Sequence, residues 1–438
     1  MNNPSCFKEF VRYSFFSVLG MLGISCYILA DTFFVSSGLG TTGLAALNLA
    51  IPVYNFIHGS GLMLGMGGAT KFSICKSQKD NRNANIIFTN TISLAFIFAL
   101  VFVITGLLLS NPLTSLLGGD TETFTMTNTY LKWLLLFAPA FIMNDVLLCF
   151  VRNDGKPQLS MLAMLTGSFS NIVLDYIFIF PLQMGIFGAV LATGFAPVIS
   201  IVILSCHWLK KNKGFHFTKT RLRFNIIRII VSLGFPSFIA QLSSGIVMIT
   251  FNALILKHQG NTGVAAYGII ANISLVAAAI YEGIAQGIQP LISHFYGIKN
   301  HKNIQQVFRY ARITILGISL GIYLFILLLA NPITNIFNNE SNPLLQEIAI
   351  HGLRLYFTSA GFVGFNVIMA VFFTSTEQMI PAHIISILRG LILIIPIAFF
   401  LSALWGMTGI WLAYPVTELI VAVLGMVIYM HNDEKHTL

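Results

Sequence analysis

Apolar residues run along this chain in long blocks, neither alternating in twos nor confined to one helical stripe. Blocks of eighteen or more, the length a helix needs to cross about 30 Å of hydrocarbon, recur near 13–36, 46–70, 86–110, 130–151, 158–180, 185–209, 226–256, 263–292, 308–330, 346–373, 381–402 and 406–430. The pattern predicts an all-α polytopic membrane protein of twelve spans. Short polar segments separate the blocks, and a longer basic one, 210–224, lies between the sixth and the seventh. Pro52, Pro139, Pro197, Pro236, Pro290, Pro396 and Pro415 fall inside blocks and predict kinks.

The two halves of the pattern repeat each other at a shift of 220 residues. Thr42-Gly43-Leu44-Ala45-Ala46 matches Thr262-Gly263-Val264-Ala265-Ala266, Asn83 matches Asn303, and Asn111-Pro112-Leu113-Thr114 matches Asn331-Pro332-Ile333-Thr334. Later the register drifts slightly, with Pro157 against Pro381 and Gly185 against Gly406. Six spans per copy put both copies the same way up, a parallel repeat of the kind transporters use to enclose a substrate path. The expected units are a six-helix bundle over 1–209, a cytoplasmic basic linker over 210–224 and a second six-helix bundle over 225–438.

Composition removes the soluble alternatives. Charged residues make up 9% of the 438-residue chain and apolar types 56%, against about 25% charged in ordinary globular proteins. Five scattered cysteines with no CxxC pair indicate neither a disulfide framework nor a metal site. With the N-terminus inside, basic residues gather at inner span ends: Lys8, Arg12, Lys71, Lys76, Lys79, Arg82, Arg152 and Lys156, then Lys210, Lys211, Lys213, Lys219, Arg221, Arg223, Arg228, Lys299, Lys302, Arg309, Arg312, Arg389 and Lys435. Lys132, Lys257 and Arg354 fall at outer ends, where Asp120, Glu122, Glu340 and Glu347 also lie. The asymmetry places a multi-pass protein in the plasma membrane with both termini cytoplasmic. It attributes the net charge of +9 to contact with anionic lipid, not to nucleic acid.

Ionisable groups inside a bilayer cost about 2.5–3.5 kcal/mol each on insertion scales, so each is a functional candidate. Asp31 lies in span 1 and Asp175 in span 5. Asn171 precedes Asp175 by four residues and shares its helical face. Thr193 in span 6 sits at a similar depth. Two carboxylates in one dry pocket either hold a proton between them or bind a hard cation such as Na⁺ through oxygen ligands. The repeat places Phe251 and approximately Phe399 opposite the two acids, so the charge belongs to the first half alone. Glu282, Glu418 and Arg389 form a possible second polar site in the other half. Asp145 is expected to pair with Arg152 near the inner interface. His58, His294 and His383 lack partners at metal-binding spacing. Gly65-Met66-Gly67-Gly68 follows a membrane helix, not a strand, and reads as close packing. No Walker sequence and no nucleophile–base or metal constellation is present, so neither ATP nor enzymatic chemistry is expected.

These features resemble the multidrug and toxic compound extrusion family, and within it the DinF-like branch. The resemblance rests on Ala30-Asp31-Thr32-Phe33-Phe34-Val35, Gly43-Leu44-Ala45-Ala46-Leu47, Asn171 with Leu174-Asp175, and Gly287-Ile288-Gln289-Pro290-Leu291-Ile292-Ser293, in that order within a 6+6 repeat. It implies a V-shaped molecule whose bundles alternate between membrane faces. It also implies a proton- or Na⁺-linked site mapping to Asp31, Asn171, Asp175, Thr193 and the backbone carbonyl of Ala189. The NorM-like branch uses acids of the C-terminal bundle, for which Glu282 and Glu418 are loose counterparts. The expected function is secondary efflux of amphipathic, cationic compounds by a monomer, with no cofactor beyond the coupling ion, H⁺ or Na⁺. The 38 Phe, 15 Met and 13 Tyr residues would supply an adaptable apolar lining. A flippase for a lipid-linked precursor, of the same superfamily, is the alternative; its anionic substrate would call for a basic cavity.

Overall fold

The computed structural model describes residues 6–207, 214–338 and 342–436, with side chains of the last helix to His431. No described residue forms a strand. Eight helices are long and apolar enough to cross a membrane, and Phe124–Leu136 with Ala138–Asn153, bent by 48°, make a ninth. Three of the nine each hold two spans: Cys6–Ser77, Phe224–Gly297 and Met379–His431 turn back at Gly40 (φ 69°), Gly260 (φ 58°) and Gly406 (φ 58°). With ψ between −131° and −160°, these positions occupy a backbone region open essentially to glycine.

Side-chain contacts across each glycine establish the reversal. The hydroxyls of Tyr27 and Tyr54 are 2.7 Å apart, although a straight helix would separate them by about 40 Å. The rings of Phe251 and Tyr267 stack at 5.6 Å, and Gly409 packs on the Leu401 carbonyl. The molecule therefore has twelve spans, numbered here in order: 6–39, 41–77, 81–108, 124–153, 157–179, 185–205, 224–259, 261–297, 301–337, 343–375, 379–405 and 407–436.

The repeat is built into the backbone as well as the sequence. Gly40 and Gly260 are related by the same 220-residue shift, and so are Lys79 (φ 62°) and Lys299 (φ 58°). Each of these lysines precedes a helix cap: Asp80 accepts the Asn83 backbone N–H at 3.1 Å, and Asn300 accepts that of Asn303 at 3.1 Å. The copies differ at Asn-Pro. Pro112 lies in the short separate helix Ser110–Leu116, whereas Pro332 sits inside His301–Phe337, which extends span 9 beyond its predicted end.

Two hydrophobic cores divide the chain. One is built from spans 1–6 and the other from spans 7–12, but Ile230 of span 7 joins the first core while Phe10 and Tyr13 of span 1 join the second. That exchange occurs at the basic end, where spans 1 and 2 cross spans 8 and 7. Small residues permit the close approach: Gly67 packs on the Ile230 carbonyl, Gly234 on that of Met63, and Gly283 and Gly287 on the backbones of Val18 and Ser14. The glycine-rich segment of span 2 is thus a packing surface.

Polar groups close the same end. Gln289 of span 8, fully buried, donates to Thr70 Oγ1 (2.8 Å) and Asn153 Oδ1 (3.2 Å) and accepts from Asn153 Nδ2 (2.8 Å). Lys71 pairs with Glu377 at 2.6 Å. The described part of the linker, from Gly214, is extended and docks on the first bundle. Lys210, Lys211, Lys213 and Glu340 lie outside the described residues, as does the Lys435 side chain. Arg389 departs from its assignment to an inner span end: it occupies a π-helical turn, Leu388–Ile392, ten residues into span 11, and points into the second bundle.

Candidate functional site

The first bundle brings Asp31, Asn171, Asp175, Thr193 and Ala189 together. Asp31 is 7% exposed and Asp175 fully buried. With its amide oriented to satisfy both neighbours, Asn171 donates to Asp175 Oδ2 at 3.0 Å and accepts the Thr193 backbone N–H at 3.2 Å. Thr193 Oγ1 donates to the Ala189 carbonyl at 3.0 Å. The two carboxyls face one another within hydrogen-bonding reach. Each keeps its Oδ1 without a protein donor, and neither has a basic partner among the described residues. An arrangement of this kind repels as a dianion and is relieved by a proton or a small cation placed between the acids.

Three tyrosines absent from the sequence expectation surround the pair. Tyr130, buried, lies beside Thr193 and within electrostatic range of both Asp31 and Asp175. Tyr27, within electrostatic range of Asp31, bonds Tyr54, whose ring stacks on His58 at 5.7 Å. The signal for Tyr27 was present, since it precedes Asp31 by four residues on one helical face. Tyr54 and Tyr130 come from other spans, and only tertiary packing brings them in.

His58 Nδ1 stands 2.8 Å from Asp145 Oδ2. This corrects the expected pairing of Asp145 with Arg152. Arg152 lies two turns further along the same helix, about 10 Å away axially, whereas span 2 carries His58 alongside Asp145, with Gly61 leaving room for the carboxylate. The Arg152 guanidinium is buried, and its Nη1 has no hydrogen-bond partner.

In the second bundle, Arg389 Nε donates to Glu418 Oε1 at 2.6 Å, and Asn366 Nδ2 donates to Glu418 Oε2 at 2.7 Å. Glu418 is 1% exposed. This is a closed, neutral pair, unlike the two unpaired acids of the first bundle. Glu282 stands apart from it, within electrostatic range of both His58 and Arg389 across the bundle interface. Phe251, opposite Asp31 in the repeat, is fully buried against Tyr267, and Phe399 is exposed. An apolar pocket of about 540 Å³, lined by Phe56, Phe98, Val101, Phe102 and Leu135, opens between spans 2, 3 and 4 and contains none of the acids.

The MatE family model matches residues 17–177 and again 236–400, one match per bundle. The chain belongs to the MatE family, the multidrug and toxic compound extrusion transporters. It is 26% identical over 432 residues to the multidrug export protein MepA of Staphylococcus saprophyticus, covering 98% of this chain and 95% of that one. An outward-facing multidrug resistance MATE transporter of the MOP superfamily superposes with a TM-score of 0.92 at 26% identity, covering 98% and 97% of the two chains. A MOP superfamily transporter from Pyrococcus furiosus, whose reversed binding-pocket polarity suggests a different function, matches with a TM-score of 0.90 at 26% identity, covering 97% and 95%.

Proposed function

We propose that this protein is a secondary multidrug antiporter of the plasma membrane, its basic end and both termini cytoplasmic, exporting amphipathic cationic compounds in exchange for H⁺ or Na⁺. The observation that carries the reading is the facing pair Asp31 and Asp175, buried without a counter-cation. Of the two ions the surroundings favour H⁺. A carboxyl–carboxyl hydrogen bond needs one proton and no further ligand, whereas a Na⁺ on the two free Oδ1 atoms would have to share Asn171 Oδ1 with the Thr193 N–H and the Ala189 carbonyl with the Thr193 hydroxyl.

The mechanism follows from charge. The deprotonated pair attracts a drug cation to the first bundle; a proton arriving from outside cancels that attraction and lets spans 1 and 5 close on each other. The drug leaves as the charge it was paired with disappears. One charge crossing 100 mV supplies about 2.3 kcal/mol, a gradient of roughly fiftyfold. Glu282, within electrostatic range of His58 and in no salt bridge among the described residues, gives the interior an acidic group suited to a cation. That polarity argues against a lipid-linked anionic precursor. Efflux of a cationic dye from everted vesicles tests the reading: Asp31→Asn and Asp175→Asn each abolish pH-driven efflux, and unaltered efflux in both would reject the coupling site.

A further inference from the structure

A second site lies at the basic end, away from the carboxyl pair. A cavity of about 500 Å³ opens between the start of span 3 and the interbundle linker, lined by Arg82, Lys219, Arg221 and Arg223 with Thr218 and Thr220. None of the four cations forms a salt bridge among the described residues. Asp80, a half-buried acid within electrostatic range of Arg82, is engaged by the backbone and side chain of Asn83. Four cations held around one cavity repel each other, so the arrangement is relieved by a multivalent oxyanion.

The linker is held in shape to form this wall. Backbone N–H groups of His216, Thr218 and Arg223 donate to Asn85 Oδ1 (2.9 Å), Thr89 Oγ1 (3.1 Å) and Asn90 Oδ1 (3.2 Å), tying it along the first turns of span 3. Phe215 is fully buried among Phe72, Phe88 and Phe150. Beside the basic side chains the same segment exposes Phe217 (62%), Leu222 (47%) and Phe224 (77%). A soluble phosphate has no use for these apolar groups, whereas acyl chains below a phosphate do.

We propose that this pocket seats the phosphate of an anionic phospholipid headgroup, with the acyl chains lying along Phe217, Leu222 and Phe224. Because the linker joins the two bundles, the lipid fastens the connection between them to span 3. The assignment is independent of the coupling site.

Native mass spectrometry of the full chain in detergent, titrated with dioleoylphosphatidylglycerol, dioleoylphosphatidylcholine or inorganic phosphate, provides the test. The wild type retains phosphatidylglycerol in preference to phosphatidylcholine. Arg221→Gln/Arg223→Gln weakens that retention about 30-fold, the loss of two cations at about 1 kcal/mol each, and Arg221→Lys/Arg223→Lys restores it. If the Gln variant does not fold by circular dichroism, Arg82→Gln/Lys219→Gln carries the same expectation. Equal retention in wild type and Gln variants overturns the site. Displacement of the phospholipid by millimolar inorganic phosphate overturns the lipid assignment in favour of a free-phosphate site.

Discussion

Replacing Gln289 with leucine should loosen the closed end of the molecule by an amount the structure sets. Gln289 bridges the bundles, bonding Thr70 and Asn153 at 2.8 Å in an interface that excludes solvent. Gln289→Leu keeps the volume but strands two buried polar partners. Leaving such a group unsatisfied costs about 1–3 kcal/mol, and the cost vanishes when the bundles part and water reaches Thr70 and Asn153. With one such group as the minimum, the closed conformer is disfavoured at least about 5- to 150-fold relative to one open at the basic end. Ser73, buried with its hydroxyl 3.5 Å from the Pro290 carbonyl across the same interface, is a reporter site. In a background lacking the five native cysteines, Ser73→Cys should react with maleimide at a rate proportional to the open fraction. Gln289→Leu should raise that rate by the stated factor. An unchanged rate would refute the claim that this network holds the bundles together.

Further tests address the fold and the loops. Gly40→Ala or Gly260→Ala forces a Cβ into a backbone region open to glycine alone, and each should cost about 1–3 kcal/mol, read as a lowered melting temperature. Arg389→Leu leaves Glu418 buried and uncompensated, at about 3–5 kcal/mol; the double change with Glu418→Leu should recover most of that stability, and a double variant no better than the single would contradict the neutral-pair reading. At the basic end, burial pushes the Asp154 carboxyl up, but hydrogen bonds from His207 and Lys76 outweigh it and hold the group below the usual carboxylate range. A carboxyl depressed in the fold stabilises it above pH about 4, the unfolded value, and loses that contribution as pH falls through the folded value. Asp154→Asn should therefore lower the melting temperature at neutral pH and flatten its decline in acid; a parallel decline in both proteins would refute the assignment.

The span count was readable because lipid demands long apolar blocks, and Gly406, one of the three reversing glycines, was visible as part of the repeat. What the sequence did not disclose depends on which helices become neighbours. Asp145 read as Arg152's partner because both lie on one helix; His58, 87 positions earlier, arrives only through packing of spans 2 and 4. Tyr54 and Tyr130 have no local signal tying them to the acids. Arg389 and Glu418 were legible as candidates for one polar site of the second bundle, but that they neutralise each other while Glu282 stands apart depends on how spans 11 and 12 pack. The basic linker was legible as charge, but its pocket depends on Asn85, Thr89 and Asn90 capturing backbone amides.

The central claim is that Asp31 and Asp175 together carry the coupling proton. Purified protein reconstituted in Na⁺-free liposomes with an internal pH dye measures this directly when a cationic substrate is added outside. The wild type should show substrate-dependent proton movement, and Asp175→Asn should bind substrate yet move no protons. Substrate-driven proton flux of wild-type size in Asp175→Asn would contradict the account.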